Sequence, residues 1–143
     1  MDYELKMADN GKFGILTVKN EVTNNLVIRF TRDVLKFTQA NNVSLFLYDY
    51  RRAPSAQTYA DQYELIYHRL NSDQLDSIQK IAILVSPKDR SHDFIEFLCA
   101  GLGRKVLIFD DLTAAKDWLA EKQIPAKRHS KNHIAEQFVM LLN

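Results

Sequence analysis

The sequence predicts an α/β domain: a largely parallel sheet, opened by a β-hairpin and covered by helices. Ile81 to Val85 and Val106 to Phe109 are continuous apolar runs, as expected of strands buried on both faces. Segments with apolar residues every three or four positions alternate with those runs, the pattern of amphipathic helices. The chain also begins with two alternating segments flanking Asp9-Asn10-Gly11-Lys12, and Asn-Gly is a strong hairpin signal because both residues tolerate positive φ.

Tyr3, Leu5 and Met7 alternate in the first strand, and Phe13, Ile15 and Val18 in the second. Thr23 precedes a helix whose stripe is Leu26, Phe30, Val34 and Phe37, with Arg29, Arg32 and Lys36 facing away and Asn41-Asn42 ending it. Val43 to Tyr48 is the third strand. Tyr59, Tyr63, Ile66, Tyr67 and Leu70 recur at helical spacing after a basic loop. Phe94, Phe97, Leu98 and Leu102 mark another helix, closed by Gly101-Leu102-Gly103, where glycine suits a left-handed cap. Leu112, Ala115, Trp118 and Leu119 form one more. The order β-β-α-β-α-β-α-β-α calls for right-handed crossovers. Residues 1–124 read as this domain, and 125–143 as a basic linker and an amphipathic tail helix bearing Ile134, Phe138, Leu141 and Leu142.

Composition excludes several classes. At 143 residues, 46% hydrophobic and 26% charged, the chain suits one soluble domain with a real core. A net charge of +1 gives no field to recruit nucleic acid or an anionic membrane. One cysteine, Cys99, forms no internal bridge, which fits a reducing, cytoplasmic location. No apolar segment follows a basic start, and no run of ~20 apolar residues occurs, so neither a secretory signal nor a membrane span is expected.

Three stretches carry a resemblance: Phe46-Leu47-Tyr48-Asp49-Tyr50-Arg51, Lys80 through Asp89, and Gly103 through Asp111 with Ala115 and Trp118-Leu119 downstream. In this arrangement the chain resembles the bacterial SpoIIAA-like branch of the STAS superfamily, the group named for anti-sigma-factor antagonists and transporter tails, over roughly residues 1 to 121. The resemblance implies a SpoIIAA-like/STAS-like mixed sheet with most helices on one side, to which the carboxyl-terminal tail helix read from its own apolar spacing is extra. It implies a binding or regulatory module without catalysis and without a cofactor. It also implies, as an alternative, a carrier of a lipid-like or other small apolar ligand near membranes. In such antagonists a serine at the start of the helix after the third strand is phosphorylated; this chain lacks the Asp-Ser-Ser-Gly signature and has Ala53-Pro54-Ser55-Ala56-Gln57-Thr58 instead. Ser55 and Thr58 are the candidates for that place.

Loops at the carboxyl ends of parallel strands carry the sites of open α/β sheets, which singles out residues 49–58 and 86–93. Asp49 ends a strand, where a metal ligand or phosphoacceptor could stand, but an aspartate there also accepts hydrogen bonds from its own loop or pairs with Arg51 or Arg52. A receiver domain is excluded by order, because the acidic pair Asp110-Asp111 follows the last strand rather than the first. Ser55 reads as a helix N-cap, or as a phosphoacceptor facing Arg51 and Arg52. The second loop offers Asp89, Arg90, Ser91 and His92 to the same surface; His92 with Asp93 and a nearby serine invites a hydrolase reading, yet no nucleophile elbow accompanies them, and Asp89 or Ser91 capping the next helix explains the loop. His68, His92, His129 and His133 show no ligand spacing on a common helix face beyond one i,i+4 pair, so no metal is expected. Tyr59, Tyr63 and Tyr67 read as a helix face packed on the sheet, or as the lining of a ligand cleft or interface.

The leading function is regulation through an unknown protein partner bound by loops 49–58 and 86–93. The alternative places an apolar ligand between the tyrosine helix and its neighbours, and an uncatalogued hydrolase is a third reading. The tail stripe must be covered, by folding back, by a second subunit in a homodimer, or by a membrane.

Overall fold

A computed structural model describes residues 2–70 and 73–120 of the chain. Strands β1 (Tyr3–Met7) and β2 (Gly14–Val18) form the expected antiparallel hairpin, with Leu5 opposite Leu16. Gly11 closes its turn at φ 71°, a left-handed conformation that glycine adopts freely. Gly14 is constrained differently: a Cβ there would stand 2.5 Å from the Phe46 ring and 3.2 Å from Phe37. There follow α1 (Asn24–Asn41), β3 (Leu45–Asp49), α2 (Tyr59–Glu64), β4 (Lys80–Leu84), α3 (Asp93–Gly101), β5 (Val106–Phe109) and α4 (Leu112–Leu119). The strands lie in sequence order, β1-β2-β3-β4-β5, and every pairing except β1 with β2 is parallel. This is the mixed α/β sheet that the sequence predicts.

Strand alternation divides the core in two. Phe46, Tyr48, Ile83 and Ile108 point to one face, against Leu26, Phe30 and Val34 of α1 and Cys99 of α3. Leu47, Ala82, Leu84 and Phe109 point to the other, against Ala115 and Leu119 of α4. Right-handed crossovers between successive parallel strands keep α1, α2 and α3 on one side; α4, following the last strand, is free to cover the opposite face. Lys80 fastens it there: the buried ammonium donates to the Trp118 carbonyl at 2.9 Å and lies 5.0 Å from the Trp118 ring centroid.

The caps follow the expected chemistry at α1. Thr23 Oγ1 accepts from the Leu26 amide at 3.2 Å, and Asn42 ends the helix at φ 52°. Gly103, at φ 71°, follows α3, with the Arg104 amide donating back to the Cys99 carbonyl at 2.9 Å. The tyrosine helix departs from expectation. It is α-helical only to Glu64, and Leu65–Arg69 then winds as one π-helical turn, the Leu70 amide reaching the Leu65 carbonyl at 2.8 Å. A short 3₁₀ turn, Asp73–Ser77, leads into β4. The expected linker and tail helix at 125–143 lie outside the described residues. Among the described residues no helix is long and apolar enough to cross a membrane.

Candidate functional site

The parallel register of β3 and β4 sets Asp49 beside Leu84, so the two loops singled out from sequence leave the sheet side by side. The Tyr50 amide donates to the Leu84 carbonyl at 2.8 Å and continues the ladder past the strand end. Beyond that point specific contacts hold the loops together. His92, 2% exposed, lies with Nε2 2.7 Å from the Ala53 carbonyl oxygen; a carbonyl only accepts, so Nε2 carries the proton and donates. The Ser55 amide donates to Ser91 Oγ at 2.9 Å, and Ser86 Oγ to the Arg51 carbonyl at 2.9 Å. Pro54 and Ala56 also bond the backbone of Val22, ahead of α1, at 2.9 Å each. The result is one continuous surface made from three connections of the chain.

Each charged candidate has a definite environment. Arg51 holds Asp49 bidentately, Nε to Oδ1 at 3.0 Å and Nη2 to Oδ2 at 2.8 Å, and its amide adds a third bond to Oδ1 at 3.1 Å. Burial alone would raise the Asp49 carboxyl, but these Arg51 bonds outweigh it and hold the group below its ordinary value. Arg52 is exposed and makes no hydrogen bond or ion pair among the described residues. In the second loop the Asp89 carboxylate accepts from the Ser91 amide at 2.9 Å and from Ser91 Oγ at 2.6 Å. Arg90 Nε donates to Asp93 Oδ2 at 2.7 Å.

Two expected caps fall elsewhere. Ser55 is not the N-cap of α2; that place belongs to Thr58, which accepts from the Asp61 amide at 3.0 Å while Asp61 accepts from the Thr58 amide at 3.2 Å. This capping box needs an acidic residue three positions on, which Thr58 has and Ser55 lacks. Ser55 Oγ is instead taken up inside the loop, accepting from the Gln57 amide at 3.0 Å and from Gln62 Nε2 at 3.3 Å. Neither Asp89 nor Ser91 caps α3, because His92 occupies the N-cap without a side-chain bond and the two residues close their own turn. The hydrogen-bond order is also not that of a hydrolytic triad: Ser91 donates to Asp89, and His92 to a backbone carbonyl. Among the described residues no cluster of three or more His, Cys, Asp or Glu could hold a metal ion.

Tyr59 and Tyr63 face outward rather than packing on the sheet, while Tyr67 is half-buried with its hydroxyl against Gly101 of α3. Tyr59 is 71% exposed and Tyr63 46%. Tyr59 lies against Phe94 of α3, with centroids 4.8 Å apart, and Tyr63 stacks on Tyr67 at 4.7 Å. The inward positions are Gln62 and Leu65, at 1% and 0% exposure. Gln62 went unnoticed in the sequence because a polar residue rarely marks a buried stripe; its amide holds Ser55 and the Ser91 carbonyl. Glu96 was missed for the same reason. It is 2% exposed, and its carboxylate accepts from the Ile108 amide at 2.6 Å, tying α3 to β5. An apolar cavity does lie behind the π turn, but Tyr48 and Tyr50 line it, not Tyr59, Tyr63 or Tyr67.

No family model matches the chain, and no curated protein matches it in sequence. A solved structure does: that of the anti-sigma factor antagonist SpoIIAA in its unphosphorylated form, at 14% identity and a TM-score of 0.52. The match covers 85% of this chain and 99% of SpoIIAA. At that identity the likeness concerns the fold, and the fold is that of SpoIIAA: a mixed five-stranded α/β sheet with four helices.

Proposed function

We propose that this chain is a cytoplasmic, non-enzymatic regulatory module that binds a protein partner through the sheet end formed by residues 49–58 and 86–93. The observation that carries the reading is the exposure of Tyr59 and Tyr63, the large hydrophobic side chains left open to solvent among the described residues. Both lie on the helix that the first loop leads into, and Arg51 and Arg52 of that loop are exposed as well. Tyrosine and arginine are the residues that interfaces favour, and a few of them dominate binding. The loops are held to each other by hydrogen bonds, the His92–Ala53 one buried, so a partner would meet a preformed surface and lose little on ordering it. The fold shared with an anti-sigma factor antagonist supports a role in regulation by binding.

Affinity capture of the full chain with quantitative mass spectrometry tests this reading. A partner specific to the native chain is expected to be lost with Arg52→Glu and with Tyr59→Ala, and kept with Lys12→Glu at the opposite end of the sheet. An interactome that all three substitutions leave unchanged would reject this surface.

A further inference from the structure

A cavity of about 110 Å³ lies on the face of the sheet that α1 and α3 cover, between the strands and the π turn. Ile81, Ile83 and Val106 form its floor, and Leu65, Ile66 and Ile95 its roof. An engineered apolar cavity of about 150 Å³ binds benzene, while one water occupies about 30 Å³ of liquid. The space therefore suits a compact molecule of about benzene size more than a single water.

One wall is chemically distinct. Tyr48 and Tyr50 both line the cavity, are 6% and 5% exposed, and stand with ring centroids 6.0 Å apart. Neither hydroxyl makes a hydrogen bond among the described residues. Neither is among the buried side-chain atoms left unpaired, so each hydroxyl keeps accessible surface, as one facing the cavity would, and two neighbouring donors are open at the same cavity. Burial pushes both phenols well above their ordinary range, so each keeps its proton and remains a donor. The same low-polarity surroundings would oppose a negative charge beside them. Water is the competing occupant, because Thr31, Gln57, His92, Arg104 and Lys105 share the lining with the isoleucines.

We infer that this cavity is a binding site for a small, compact, neutral and mainly apolar molecule carrying one hydrogen-bond-accepting oxygen, which the Tyr48 and Tyr50 hydroxyls hold. A cyclic ketone is the simplest molecule of that description. The site is separate from the recognition surface proposed above and stands or falls independently of it.

Methyl- and amide-detected NMR titration of the full chain with cyclopentanone and cyclohexanone tests the inference. The wild type is expected to show saturable shifts centred on Ile66, Ile83 and Ile95. Tyr48→Phe and Tyr50→Phe keep the ring and the fold, and each is expected to weaken binding about 2- to 12-fold, the range that one hydrogen bond supplies. Cys99→Leu, which fills the cavity from α3, is expected to abolish saturation. Absence of saturable shifts in the wild type would mean that the cavity holds water only and would overturn the inference. Equal affinity in the wild type and both phenylalanine variants would overturn the role of the hydroxyls, even if the Cys99 variant did not fold.

Discussion

The His92 imidazole donates to the carbonyl oxygen of Ala53, 2.7 Å away and 39 positions earlier in the chain. Both residues are buried, His92 at 2% exposure and Ala53 at 0%, and the imidazole also lies against Tyr50 with centroids 4.7 Å apart. This contact makes one surface of two loops that the sheet merely brings close.

His92→Phe keeps the packing on Tyr50 and removes the donor, leaving a buried carbonyl unpaired. The expected loss is about 1–3 kcal/mol of stability, measured by urea unfolding. Amide exchange at Ala53 and Ser55 is expected to accelerate more than exchange in the hairpin. An unchanged urea midpoint would show that the contact contributes nothing.

Thr58, not Ser55, begins α2. Thr58→Ala removes the hydroxyl that accepts from the Asp61 amide, while the backbone amide at 58 still reaches the Asp61 carboxylate, and is expected to cost about 0.5–2 kcal/mol, with faster exchange at Asp61 and Gln62. Ser55→Ala leaves that cap intact, so exchange at Asp61 is expected to stay as in the wild type.

Asp49 carries a pH dependence whose sign is set by its downward shift. Its pairing with Arg51 contributes stability above the unfolded carboxyl pKa of about 3.9, and that contribution is lost as pH falls through the lower folded value. Carbon-detected NMR titration is expected to place the Asp49 midpoint below 3.8. Arg51→Gln is expected to move that midpoint upward; no movement would contradict the assignment of Arg51 as its cause.

Cys99 is buried, and burial is the main force that pushes its thiol up to about 12, Glu96 adding to the shift and Arg104 opposing it. The thiolate is the reactive form. Ellman's reagent at pH 8 is therefore expected to leave the folded chain unlabelled and to react with one thiol per chain in urea. Rapid labelling of the folded protein would contradict the burial.

The strands, α1, α3 and α4 were legible from sequence because periodicity and turn residues act locally: Asn10-Gly11, the Thr23 cap and the runs 81–85 and 106–109 each describe their own backbone. The location of the candidate site was legible for the same reason, since any parallel sheet exposes the loops after its strands. Its internal wiring was not. Ser55 and Thr58 both fit a cap by residue type, and only the reciprocal bond from Asp61 separates them. The tyrosines at 59, 63 and 67 gave the more visible stripe, whereas the buried stripe runs through Gln62 and Leu65. Gln62, Glu96 and His92 are buried polar residues whose partners lie in other elements. Tyr48 and Tyr50 read as strand and loop residues, because a cavity belongs to the assembled core and has no local signal.

A photo-crosslinking amino acid placed in turn at Tyr59, Tyr63 and Lys12 of the full chain, irradiated in producing cells, tests the recognition surface most directly. Positions 59 and 63 are expected to yield the same discrete protein adduct, lost when Arg52→Glu is added, and position 12 to yield none. Adducts formed equally from position 12, or absent from 59 and 63, would contradict recognition through this end of the sheet.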